Sequence, residues 1–366
     1  MNEENIKMLQ EATHRSPSTT TTTTTTATGV TMTAVTQDRY GDSSVLRTTT
    51  VAVPTPGPDQ VLVRVHAAGI DRGTEHLVSG TPYLVRAMFG LRRPRQPIPG
   101  MDMAGTVVAS GSEVTRFAPG DEVVGVASGS FAEYAVADES KVTLRPDPLP
   151  VIEAAVVPIS GSTAHQAVVT HGAVSAGDNV LILGASGGVG SYAVQIAKAR
   201  GAIVTGVASG PKLDMVRSLG ADHVIDYRSA DPVDGTRRYD IIIDIGGRNR
   251  LSKLRRALTD DGTLVIVGGE GGDTITGGIG RQLRAAAMSP FVSQRLTFFI
   301  ASEDHRHLDE LLTLVASGKV RPRLDRTYRL SQVPDALDDL AAGRIAGKAV
   351  ITITDPSVPT NERARS

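Results

Sequence analysis

The sequence predicts an α/β protein made of a mainly β module followed by a doubly wound parallel sheet, and three observations predict it. Val180-Leu181-Ile182-Leu183 runs through a glycine-dense turn into apolar positions at Val189, Ala193, Ile196 and Ala197, which reads as strand, tight turn and helix. Between Val45 and Val136, short alternating segments are bounded by Gly, Pro or Asp, with no long helical pattern among them. After Pro150, strand and helix patterns alternate, as in a parallel sheet covered on both faces.

Composition narrows the classes of function. The 366 residues suffice for two domains with separate cores. With 38 Lys and Arg against 39 Asp and Glu, the formal charge is −1, so no global field draws the chain to nucleic acid or to a membrane surface. Small molecules are the expected partners. The absence of cysteine excludes disulfides, thiolate metal ligands and a cysteine nucleophile, and suits a cytoplasmic location, which is the expectation. No stretch of about 18 apolar residues occurs, so neither a membrane span nor a secretion signal is expected.

In chain order, residues 1–28, with eight consecutive threonines at Thr19 to Thr26, hold too little apolar surface to offset ordering and are expected to form a disordered tail. Residues 29–150 form the mainly β domain, with strands expected at 51–53, 61–67, 105–108, 122–126 and 131–136. Residues 151–300 form the parallel-sheet domain. A helix near 152–157 leads to the opening strand; further strands are expected at 203–207, 223–225, 240–245 and 263–267, and helices at 212–219 and 251–258. Residues 301–355 hold helices at 308–316 and 333–340, a strand near Tyr328 and a strand at 348–353, and 356–366 is a flexible tail.

The turn carries the first functional signal. Gly184, Gly187, Gly188 and Gly190, with Ser186 and Val189 between them, let backbone approach a diphosphate, and the following helix points unpaired N–H groups at the anion. A plain structural turn is the alternative. A site selecting NAD would place an acid at the end of the second strand, to bond both ribose hydroxyls. That strand ends Val207-Ala208-Ser209-Gly210, without an acid, and Lys212 follows with a positive charge suited to a 2′-phosphate, which favours NADPH over NADH. Gly246, Gly268 and Gly269 end later strands where backbone should face the cofactor, with structural turns again the competing reading.

Six motifs in order then carry a resemblance. Ala67-Ala68-Gly69-Ile70, Pro99 to Val107, Pro119-Gly120-Asp121-Glu122-Val123, Gly187-Gly188-Val189-Gly190, Leu219 to Tyr227 and Gly347-Lys348-Ala349-Val350 resemble the zinc-independent quinone oxidoreductase branch of the medium-chain dehydrogenase/reductases. The resemblance implies a GroES-like catalytic domain, an inserted Rossmann domain, a return of residues 301–355 to the first domain, and a homodimer. It implies Ser209, Lys212 and Tyr227 at the 2′-phosphate and Thr163 near the nicotinamide. Zinc-dependent relatives place His-Glu where this chain has Met101-Asp102, so no metal is expected, and His165, His171, His305 and His307 are read as ordinary histidines.

Without metal, the hydride acceptor must carry its own delocalisation, which suits quinones and α,β-unsaturated carbonyl compounds. Relatives have Asn-Pro-x-Asp and a tyrosine where this chain has Asp71, Arg72, Gly73, Thr74 and His76. Asp71 and Thr74 keep polar groups there, and His76 is a candidate proton donor or a pocket-wall residue. Tyr83 is a second candidate donor, with ring packing as its alternative. Arg86, Arg92, Arg93 and Arg95 receive no site role. The expected function is an NADPH-dependent, zinc-free quinone or enone reductase. The alternatives are an NAD(P)-dependent alcohol dehydrogenase and a noncatalytic NADPH-binding regulatory protein.

Overall fold

The computed structural model describes residues 29–268 and 274–353. The expected tails, 1–28 and 356–366, and Gly269 lie outside the described residues.

Strands β1 (Thr31–Thr36) and β2 (Arg47–Ala52) form an antiparallel pair. The main sheet of the first region is organised on β3 (Gln60–Ile70), which is buried at Val61 to Val63 and again at Ala67 to Ile70. Burial on both faces explains why its sequence reads as an almost continuous apolar run. Helices α1 (Arg72–Ser79) and α2 (Val85–Phe89) follow, where no helix was expected. Then come β4 (Asp102–Ser110), β5 (Glu122–Val126), β6 (Tyr134–Asp138) and β7 (Val142–Leu144). β4 and β6 both pair antiparallel with β3, and two register shifts along β3 and β4 bend the sheet.

The single helix expected near 152–157 is two, α3 (Val151–Ala154) and α4 (Pro158–His165), the latter running into a π-helical turn, Gln166–His171. Pro158 lacks the N–H that would continue α3 and sits in the first turn of α4, where none is needed.

The second sheet holds β8 (Asn179–Leu183), β9 (Ile203–Ala208), β10 (His223–Asp226), β11 (Tyr239–Asp244), β12 (Leu258–Ile266) and β13 (Arg295–Phe298). All its pairs are parallel, in the order β10-β9-β8-β11-β12-β13. Helices α5 (Gly188–Ala199), α6 (Leu213–Ser218), α7 (Leu251–Ala257) and α8 (Ile279–Met288) connect the strands. The order reverses between β8 and β11, which opens a crevice beyond their carboxyl ends. Neither β13 nor α8 was expected. β13 has only four residues, and the glycines before α8, Gly277 and Gly278, read as loop.

Beyond β13 lie α9 (His305–Ala316), β14 (Leu324–Arg329), α10 (Val333–Ala341) and β15 (Lys348–Thr352). β15 pairs parallel with β14 and antiparallel with β3, Ala349 opposite Ile70 and Thr352 opposite Ala67. The last strands therefore extend the first sheet. Among the described residues no helix is long and apolar enough to cross a membrane.

His66 lies on β3, with Nε2 2.8 Å from Thr106 Oγ1. Burial, with Arg64 and Arg145 adding to it, pushes its imidazole down from 6.5 to about 4. The folded state thus favours the neutral ring, so the stability this gives is full above pH 6.5 and is lost as pH falls toward 4. His66→Asn is expected to flatten the acid limb of a urea midpoint against pH curve by on the order of 2 kcal/mol between those values.

Candidate active site

The glycine turn is held by backbone. Gly184 N and Ala185 N donate to Val207 O at 3.3 and 3.0 Å, and Gly184 adopts φ +91°. A Cβ on Gly190 would lie 2.1 Å from Gly184 O, so the turn closes only with glycine there. Gly187 caps α5 without a side-chain bond, which leaves the first N–H groups of this 12-residue helix without side-chain partners at the cap, as an anion site needs. Ser186 O accepts from Gly347 N at 3.0 Å, tying the turn to the start of β15, and Val189 packs on the core.

Across the crevice, Gly246 has no atom within 4 Å of an added Cβ, and Gly184 and Gly246 face each other at the ends of β8 and β11. Gly268 differs. A Cβ there would meet Ile245 O at 2.0 Å, so packing by itself requires this glycine.

At the end of β9, Ser209 is half-buried, and Lys212 Nζ donates to Gly343 O and Ile345 O at 2.8 and 2.6 Å. Lys212 therefore ties the approach to β15, an engagement its sequence context did not reveal. Tyr227 is exposed, and the Arg228 guanidinium lies 5.9 Å from its ring centroid, adding a cation that sequence reading passed over.

A cavity of ≈ 210 Å³ lies between the two regions, walled by Met101, Pro158, Ile159, Thr163, Ile300 and Leu308. Thr163 Oγ1 donates to Ile159 O at 2.7 Å, which leaves its lone pairs to accept from a ligand. The expected catalytic residues do not gather here. Asp71 is the N-cap of α1: its Oδ1 accepts from Thr74 N at 2.9 Å and Thr74 Oγ1 at 3.2 Å, and Thr74 is fully buried. An Asp three residues before Thr at a helix start is a capping arrangement, a role the sequence reading of these two residues did not include. His76 is half-buried on α1, and Tyr83 is exposed, its N–H donating to Thr274 O and its ring 4.6 Å from the Arg86 guanidinium. Neither lines the cavity.

A buried ion pair, missed by sequence reading, supports the site. Lys348 is 1% exposed, and its Nζ donates to Asp102 Oδ2 at 3.2 Å and Ser160 Oγ at 3.1 Å. Asp102 is fully buried, and its Oδ1 accepts from Ile159 N at 2.8 Å. Burial pushes the Asp102 carboxyl up; Lys348 opposes the rise and the nearby Asp71 adds to it. The Lys348 stem lies against the turn itself, since a Cβ on Gly188 would be 2.9 Å from Lys348 Cδ. Elsewhere, His165 and His307, which the sequence reading took as ordinary histidines, are brought together with Glu310.

Residues 57–147 match the family model described as alcohol dehydrogenase GroES-like domain, and residues 219–351 the one described as zinc-binding dehydrogenase. A chloroplastic quinone oxidoreductase of Triphysaria versicolor is 32% identical over 339 residues, covering 88% of this chain and 99% of its own length. The chain belongs to the zinc-independent quinone oxidoreductase branch of the medium-chain dehydrogenase/reductases. It has that family's GroES-like domain and Rossmann sheet, and it is an NAD(P)H oxidoreductase. A mitochondrial NAD(P)H oxidoreductase of Mus musculus is 33% identical over 349 residues, covering 86% of this chain and 88% of the relative. Among solved structures, the quinone oxidoreductase from Coxiella burnetii superposes with a TM-score of 0.79 at 28% identity, covering 89% of this chain and 100% of that one. A mycobacterial protein complexed with NADPH gives 0.76 at 25% identity, covering 88% and 100%. The family relatives also correct the cytoplasmic expectation: they are named as chloroplastic and mitochondrial, and a cysteine-free composition does not distinguish one reducing compartment from another.

Lys348→Met leaves the Asp102 carboxyl buried without its partner and is expected to cost about 3–5 kcal/mol in a denaturant melt. Adding Asp102→Asn to that variant should recover much of the loss; a double variant no more stable than the single one contradicts the pairing.

Proposed function

We propose that the protein is an NADPH-dependent, zinc-free reductase of quinones or α,β-unsaturated carbonyl compounds, working by direct hydride transfer. The observation that carries this reading is helix α4, which joins the two halves of the site: Ser160 lies beneath Gly188 of the phosphate-type turn, and Thr163, one turn on, lines the largely apolar cavity. The turn from Gly184 to Gly190 would hold the diphosphate, and Ser209, Lys212 and Tyr227, with Arg228, the 2′-phosphate. Bound NADPH supplies the hydride. The apolar side chains of Met101, Ile159 and Leu308 suit a flat, delocalised acceptor, whose negative charge would spread onto oxygen and take its proton from solvent. The names of the relatives and the NADPH complex of one neighbour support the same reading.

Purified protein should consume NADPH with at least one member of a quinone and enone panel; no consumption with any acceptor ends the reductase reading. One observation favours a second reading, an NADPH-binding protein without turnover: Asp71, Thr74, His76 and Tyr83 all lie off the cavity lining. Tight NADPH binding with no hydride loss to any acceptor would select it.

Gly246→Leu, placed where an added Cβ has no atom within 4 Å, should keep the wild-type melting temperature and weaken NADPH binding by about tenfold or more, roughly 1.4 kcal/mol. Ser209→Glu puts back the acid missing from the end of β9. The ratio of kcat/KM for NADPH over NADH should fall by about tenfold or more, through repulsion of the 2′-phosphate and new bonds to the ribose hydroxyls.

A further inference from the structure

We propose that His165, His307 and Glu310 form a binding site for one late first-row divalent cation, of the zinc, cobalt and nickel class, outside the crevice and the cavity. One ring nitrogen of each histidine and one Glu310 oxygen lie within 4.8 Å of one another. His165 ends α4, and His307 and Glu310 stand three apart on α9, one helix face.

Packing creates this meeting. A Cβ on Gly161 would come within 2.4 Å of Leu311 Cδ2, so the glycine lets α9 approach α4 closely. Position 161 meets 311, and one turn away 165 meets 307, with ring centroids 6.3 Å apart, so the two helices run antiparallel. His165 Nε2 lies 3.6 Å from Glu310 Oε2.

The chemistry suits a metal of this class. His165 is 5% exposed, and its Nδ1 has no hydrogen-bond partner among the described residues. Ligand bonds of about 2.0–2.2 Å require the three atoms to close in, which rotation of the two less buried side chains, His307 and Glu310, allows. Two imidazoles select against magnesium and calcium, and the exposed side of Glu310 leaves a fourth position for water. The bound ion would pin α4 to α9 behind the cavity wall, because Leu308 and Thr163 both line that cavity.

The test is titration of chelator-treated, tag-free full-length protein with Co2+, followed by absorption, with Zn2+ as competitor. The expected result is one equivalent of Co2+ with a visible band that Zn2+ abolishes, and a higher melting temperature with metal. His307→Gln and Glu310→Gln, each checked by circular dichroism, should weaken binding by about tenfold or more, no less than loss of an outer-shell partner does. His305→Gln, whose ring is paired with Asp309 at 2.9 Å, should bind as wild type. Wild-type protein that takes up no Co2+, or binding equally unaffected in His307→Gln and Glu310→Gln, overturns the proposal.

Discussion

The buried contact of Lys348 with Asp102 and Ser160 is the constraint on which the rest of the site depends. It gathers β15, β4 and α4 at one point, and the Lys348 stem supports Gly188 from below. In a medium of low polarity neither charge tolerates separation from the other, and the additional bond from Ile159 N to Asp102 Oδ1 satisfies an oxygen that would otherwise be bare. Gly69 belongs to the same packing, because a Cβ there would lie 2.5 Å from Ala155 O and 2.8 Å from Asp102. The position of the glycine turn relative to the cavity is thus set by an ion pair between regions far apart in sequence.

Helix α4 is the element through which these features communicate. Its successive positions face different neighbours: Ser160 the ion pair, Gly161 helix α9, Thr163 the cavity and His165 the histidine and carboxylate cluster. Gln166 continues the series, since its side-chain amide exchanges two bonds of 2.9 Å with the backbone of Ser302, itself in the cavity wall. One short helix therefore carries packing, electrostatics and cleft shape together.

What the sequence showed followed from local pattern. The glycine turn and the strands β8, β9, β11 and β12 were legible because buried parallel strands read as apolar runs and a tight turn needs glycine at fixed places. Features set by tertiary contact were not. The capping role of Asp71 went unread because Gly73 in the first turn of α1 obscured the helix. The carbonyl partners of Lys212, Gly343 and Ile345, come from the far end of the chain, so its tie to the approach to β15 had no local signal. The grouping of His165 with His307 depended on how closely two helices approach, which no local pattern encodes.

The antiparallel pairing of β15 with Ala67 to Ile70 of β3 has a consequence for synthesis. During translation the first sheet emerges with that edge of β3 open, and the whole parallel-sheet region must be made before residues 348–352 can cover it. An uncovered apolar strand is a template for pairing with other chains. The interval between making β3 and making β15 is therefore the period in which a nascent chain is most exposed to misassociation, and the same late strand delivers the lysine that neutralises Asp102.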